Sequence, residues 1–111
     1  MASRTGIALG TNVGNRLTNL REARDLLVNL MPAGTIYKQS GVYQSEPVDC
    51  PPESPDFYNA VIEIDFIGKP RELLKATQAI EWKLGRTSNA VRNAPRPIDL
   101  DILYFDHIVM D

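Results

Sequence analysis

The chain is short of cysteine, of histidine and of net charge, and each shortage removes a class of function. Cys50 is the only cysteine in 111 residues, so no internal disulfide can form and a reducing cytoplasm suits the chain. It lies between Asp49 and Pro51 in a loop, with no histidine beside it, and reads as incidental rather than as a nucleophile. The formal charge is only −2. That balance gives no footprint for nucleic acid or an acidic membrane, so any cationic site must be local. No apolar run approaches the length that crosses a bilayer, and the opening residues lack a signal-peptide pattern. A cytoplasmic location is the expectation. Internal repeats and low-complexity tracts are absent too. At 111 residues there is material for one core, so residues 1–111 are expected to form a single domain.

What is present is a series of periodic segments. Thr5–Gly10 is a short apolar run that reads as a strand. Thr11-Asn12-Val13-Gly14-Asn15-Arg16 follows, dense in turn and helix-capping residues. The lysine and Ser/Thr of a Walker A loop are missing there, which sets aside a P-loop NTPase. A capped strand-to-helix turn and a substrate-contacting loop both remain open. Leu17–Leu30 repeats apolar residues at Leu17, Leu20, Ala23, Leu26, Leu27 and Leu30, one helical face, and Pro32 and Gly34 stop it.

Thr35–Ser45 reads as a second strand, with Gly41 a bulge or a point of close approach. Glu46–Pro55 carries four prolines and three acids and must be a loop, longer than a hairpin needs. Phe57–Phe66 reads as a third strand, antiparallel to the second. Pro70 opens a second helix with Leu73, Leu74, Thr77, Ile80, Glu81 and Leu84 on or beside one face, and Gly85 ends it. The last strand runs from Ile98. The order strand, helix, strand, strand, helix, strand predicts an α+β, ferredoxin-like split βαβ (βαββαβ) fold. Its antiparallel sheet would have four strands, with two helices on one face. Such a fold hosts many unrelated functions.

The chemistry concentrates in Ala94-Pro95-Arg96-Pro97-Ile98-Asp99-Leu100-Asp101-Ile102-Leu103-Tyr104-Phe105. Strand side chains alternate faces, so Asp99 and Asp101 project together while Ile98, Leu100, Ile102 and Tyr104 fill the other side. Carboxylates roughly 7 Å apart on a rigid strand can hold Mg²⁺ beside a phosphate. Arg96 would supply a phosphate-binding fork, and Arg86 and Arg92 precede it in the same segment. The plainer alternative is a half-buried strand with a wet polar face.

These residues carry a wider pattern. Ala8-Leu9-Gly10-Thr11-Asn12-Val13-Gly14-Asn15-Arg16, Val42-Tyr43-Gln44-Ser45-Glu46-Pro47 and Pro55-Asp56-Phe57-Tyr58-Asn59-Ala60-Val61 belong to it. So do Ile80-Glu81-Trp82-Lys83-Leu84-Gly85-Arg86 and the long run from Ala94 to Leu103. Through them the chain resembles the 6-hydroxymethyl-7,8-dihydropterin pyrophosphokinases of folate biosynthesis. The resemblance implies transfer of pyrophosphate from ATP, the co-substrate, to the pterin hydroxymethyl group, releasing AMP. It implies Arg86, Arg96, Asp99 and Asp101 as catalytic residues, with Asp99 and Asp101 binding two Mg²⁺ ions. Gln78, Glu81, Arg86, Arg92 and Arg96 match positions that face the nucleotide. Asn59 matches an asparagine that bonds the pterin edge, Phe57 an aromatic residue that stacks on the ring, and Ser45 and Val48 a loop that contacts it.

Departures accompany the match. Ser88 stands where many members carry an arginine, Asn93 where some carry an aromatic residue, and Glu46 where proline is frequent. Family members continue past the last strand with a His-Pro element, basic residues and an aromatic residue. The chain stops at Asp111, so the resemblance implies one wall of the site missing, and His107 is not the missing histidine. Three other readings stand beside the active enzyme, which could complete its site as a homodimer. One is a weak or inactive relative that binds Mg-nucleotide or pterin. Another is a fragment of a longer enzyme. The last is a regulatory ferredoxin-like module that binds a metabolite between dimer partners.

Overall fold

Alternation along the first strand sets the architecture. In the computed structural model, which describes residues 2–12, 14–46, 56–85 and 98–109, β1 (Ala2–Thr11) buries Thr5, Ile7, Leu9 and Thr11 on one face. Two long neighbours flank it, both antiparallel. β4 (Phe57–Ile67) pairs along its whole length, and β5 (Asp99–Phe105) pairs from Thr5 to Gly10. Two short strands, β2 (Lys38–Gln39) and β3 (Tyr43–Ser45), lie one after the other against β4, and β6 (Ile108–Val109) closes back on β5. The sheet therefore runs β2-β4-β1-β5-β6, with β3 also on β4.

The expected four strands become six. The segment Thr35–Ser45 does not extend as one strand. Ser40 Oγ accepts from Val61 N–H at 2.8 Å, and Ser40 N–H donates to Val61 O at 2.8 Å. That local closure divides the ladder into β2 and β3. Gly41 lies in the break with open space around it, so no close approach explains it.

The helices follow their apolar stripes. α1 (Arg16–Val28) is capped by Asn15, whose side chain accepts from Thr18 N–H at 3.1 Å, and it buries Leu20, Ala23 and Leu27. The turn ahead of it is thus a capped strand-to-helix turn. α2 (Pro70–Gly85) buries Leu73, Thr77 and Ile80. Both join one apolar cluster with Ile7, Leu9, Ile62, Ile64, Leu100 and Phe105, so both cover the same sheet face. Full burial of each such aliphatic side chain stabilises by about 1.5–3 kcal/mol, well above any surface ion pair here.

The open face is polar, and one irregularity decides what stands on it. Ile7 pairs with Ile102 but Gly6 pairs with Tyr104, so Leu103 is an extra residue in β5. The bulge reverses alternation beyond it. Phe105 enters the core, edge-to-face with Phe66 at 6.4 Å between ring centroids. Tyr104, expected on the buried side with Ile98, Leu100 and Ile102, instead crosses to the open face above Gly6. A Cβ at Gly6 would sit 2.3 Å from the Tyr104 ring, so glycine is required there.

Tyr104 hydroxyl donates to Glu63. Arg4 bridges Glu63 and Asp65, at 2.8 Å to each. Burial first, and the Glu63 carboxylate second, push the Tyr104 phenol up to about 12. The Tyr104 hydrogen bond, with Arg4 beside it, holds the Glu63 carboxyl below its ordinary value.

Two outcomes follow. Gly6→Ala should lower the unfolding free energy in urea by about 1–3 kcal/mol through overpacking against Tyr104. Because the neutral phenol is the form the fold favours, its contribution is complete below about pH 10 and lost as the pH rises toward about 12. Stability measured from pH 8 to pH 12 should show that loss in the wild type, and Tyr104→Phe should lack it.

Candidate active site

The strand register assembles one row of residues across the open face. Asp99 pairs with Gly10, Gly10 with Asn59, and Asn59 with Tyr43. Paired residues project to the same side, so four strands contribute to one line. At about 4.8 Å per strand, Asp99 and Asn59 stand about 10 Å apart, with only a glycine between them. A Cβ at Gly10 would meet Asn59 Oδ1 at 3.3 Å and Phe57 Cδ1 at 3.7 Å. Glycine therefore keeps the strip between acid and amide open.

One end of the row holds the expected pterin-side residues together. Asn59 Nδ2 donates to Ser45 Oγ at 2.8 Å and to Tyr43 O at 3.3 Å. Ser45 pairs with Phe57, which puts the aromatic ring beside the same amide. Arg16 anchors the start of β4, donating to Asp56 O at 2.8 Å and lying 4.0 Å from the Tyr58 ring centroid. The row thus rests on the strand-to-helix turn as well as on the sheet.

At the other end, along the outer edge of β5 where the open face meets α2, Asp99 and Asp101 line a cleft of about 460 Å³ with Leu74, Thr77, Gln78 and Glu81 of α2 and with Leu100. The four helix residues recur at spacings of three and four and so present one face to β5. Asp99 is half-buried and Asp101 exposed, while Leu100 between them is buried in the core. Glu81 Oε2 accepts from Leu100 N–H at 2.9 Å.

Among the described residues no group of three or more His, Cys, Asp or Glu is close enough to hold a metal ion. The aspartate pair is therefore a two-carboxylate donor set. It fits Mg²⁺, which takes one or two carboxylates and completes its shell with phosphate oxygens and water.

Seven of the expected site residues, Ser45, Phe57, Asn59, Gln78, Glu81, Asp99 and Asp101, thus fall into two clusters joined by Gly10. Arg86, Arg92, Arg96 and Val48 lie outside the described residues, as do Ser88 and Asn93. Three participants were not anticipated from the sequence: Gly10 as the opening of the strip, Tyr43 as a backbone partner of Asn59, and Thr77 as a cleft-lining group. Gly10 ends an apolar run and carried a readable signal. The other two depend on register and helix placement. His107 sits in the turn between β5 and β6 and lines no part of the cleft.

Residues 6–110 match the family described as 7,8-dihydro-6-hydroxymethylpterin-pyrophosphokinase. The chain is 46% identical over 100 residues to the 2-amino-4-hydroxy-6-hydroxymethyldihydropteridine pyrophosphokinase of Bacillus subtilis, covering 90% of the chain and 58% of that protein. With the protein of the same name from Pseudomonas aeruginosa it shares 36% identity over 111 residues, covering 100% of the chain and 67% of that protein. A folate synthesis bifunctional protein of Arabidopsis thaliana is 42% identical over 99 residues, which cover 89% of the chain and 20% of that protein. The chain spans from 20% to 67% of the length of these relatives.

Removing the amide that ties β3 to β4 should be measurable without any ligand. Asn59→Ala loses the bonds to Ser45 Oγ and Tyr43 O. Amide exchange at Tyr43–Ser45 should accelerate relative to β1, with a global stability loss of about 1 kcal/mol. Unchanged exchange would mean that the ladder, not the amide, holds β3.

Proposed function

The chain belongs to the 7,8-dihydro-6-hydroxymethylpterin-pyrophosphokinase family, and from that membership we propose that it transfers pyrophosphate from ATP to 6-hydroxymethyl-7,8-dihydropterin in folate biosynthesis. The observation that carries this reading is the row Asp99–Gly10–Asn59, which sets a pair of carboxylates and an amide-aromatic cluster on one open face. The spacing of about 10 Å suits a planar bicyclic ring at one end and a polyphosphate at the other.

In this reading Phe57 offers its ring face to the pterin, and Asn59, braced by Ser45, offers its amide to the ring edge. Asp99 and Asp101 would hold Mg²⁺, which when bound neutralises phosphate charge and orients the transferred group. The pterin hydroxyl oxygen bonds to the β-phosphorus of ATP, the bond from that phosphorus to the α-phosphate oxygen breaks, and AMP leaves. The hydroxyl proton passes to solvent. Charge spread over the transferred oxygens makes positioning and electrostatic stabilisation the main demands. Arg86, Arg92 and Arg96 are assigned to phosphate contact and Gln78 to the nucleotide side of the cleft. We also assign the sheet to the ferredoxin-like split type, with β2 and β3 sharing one strand position. The reaction is assigned to the cytoplasm, which suits a chain whose only thiol has no internal partner.

AMP release from Mg-ATP should depend on the hydroxymethylpterin. AMP formation independent of the pterin, or none at all, would sink the proposed reaction. Asp101→Ala should weaken Mg-dependent binding of α,β-methylene ATP by roughly one to two orders of magnitude, the worth of a charge-assisted contact. Equal titrations for mutant and wild type would leave the acids as a wet strand face.

A further inference from the structure

From the contact between α2 and β5 we infer that Glu81 is a positioning residue for the Asp99–Asp101 pair. It acts as the acceptor for the backbone between them rather than as a ligand to nucleotide or metal. This rests on the proposed Mg-ATP reading of the cleft.

The strand pattern creates the need. β5 pairs with β1 on one side through Gly10–Thr5, while β6 reaches only Tyr104 and Phe105 on the other. The Leu100 N–H lies on the outer edge of β5, part-buried and turned toward α2 rather than toward β1. Glu81 Oε2 meets that N–H at 2.9 Å from a different element. Without it that part-buried donor would exchange a fixed protein acceptor for cleft water beside the site.

The location of this bond gives it its effect. The Leu100 nitrogen belongs to the peptide that follows Asp99, so fixing its direction fixes the ψ of Asp99 and the φ of Leu100. Those angles set how Asp99 and Asp101 project relative to one another. Leu100 itself is seated in the core and both acids are paired to β1, so the bond to Glu81 is what holds the same stretch from its outer edge. Glu81 sits one turn beyond Thr77 and Gln78 on the helix face that lines the same cleft. The bond thus joins the two walls of the cleft at the residue between the candidate metal ligands.

Length and charge can be separated by substitution. Glu81→Gln keeps an acceptor oxygen at the same reach and removes the charge. Glu81→Asp keeps the charge and shortens the arm by one methylene. Glu81→Ala removes both. Two readouts are taken on the full chain: amide hydrogen exchange at Leu100 without ligand, and the Mg²⁺ concentration for half-maximal binding of α,β-methylene ATP.

A positioning role predicts that Glu81→Gln stays within about three-fold of wild type in both. Glu81→Asp and Glu81→Ala should exchange Leu100 at least about ten-fold faster and need at least about ten-fold more Mg²⁺. If Glu81→Gln is impaired while Glu81→Asp is not, the charge is what acts, and Glu81 is a ligand. Faster exchange with an unchanged Mg²⁺ requirement overturns the inference too, since the bond would then hold the strand without arranging the acids. Should wild type bind the analogue equally well without Mg²⁺, the Mg-ATP reading itself falls. Should Glu81→Ala not fold, the contrast between the Gln and Asp variants still decides.

Discussion

The pairing of β1 with β4 on one side and β5 on the other is the constraint on which the rest of the structure depends. Each strand side chain takes the face dictated by its partner in the ladder, so one register fixes the core and the open face at once. Ile7 and Leu9 bring Ile62, Ile102 and Leu100 to the helices, while Gly10 brings Asp99 and Asn59 to the opposite side. A slip of one residue along β5 would bury both aspartates beneath α2. Apolar burial thus enforces the arrangement of the polar site, although the core residues that do so take no part in the proposed chemistry.

Two glycines of β1, one on each side of Ala8 along the same face, give that open face its relief. Gly6 makes room for the Tyr104 ring, and Gly10 leaves the strip between acid and amide clear. Side chains at these points would fill the face with groups the sheet has no need to pack. The Arg4–Glu63–Tyr104 network sits over the first glycine, partly exposed, and is worth far less than the core beneath it. Its consequence is local: it ties Tyr104, just beyond the bulge, to Glu63 of β4 and through it to Arg4 of β1.

A nearly balanced overall charge is compatible with a strongly polar site because the opposing charges are segregated along the chain. The aspartates enter β5 directly after the stretch containing Arg86, Arg92 and Arg96. In the proposed reaction the carboxylates would serve the polyphosphate through a divalent cation and the arginines directly. The same unit recurs within relatives of quite different size: the Arabidopsis bifunctional protein is about five times as long as the stretch it shares, since 99 matched residues make up 20% of it. Within the described residues, the sheet and two helices bring the acid pair and the amide cluster together by their own pairing.

Much was legible in the sequence because it is governed by local periodicity. Apolar spacing marked both helices, the capping-rich run Thr11–Arg16 and Pro70 announced their starts, and alternation put Asp99 and Asp101 on one side of one strand; that Asn15 is the cap came from the structure. The Ala94–Leu103 run and its companions carried the family likeness without any structure. Three features required the fold. The break that makes β2 and β3 arises from Ser40 meeting Val61, and the bulge at Leu103 arises where the β1 and β5 ladders fall out of step. Glu81 could be placed near a buried stripe by its spacing, but its attachment to Leu100 N–H depends on where α2 lies against an edge that is open only in the assembled sheet. Sequence periodicity determined which residues share a face; long-range hydrogen bonding decided which faces meet, because backbone donors reveal their partners only when distant strands and helices are brought together.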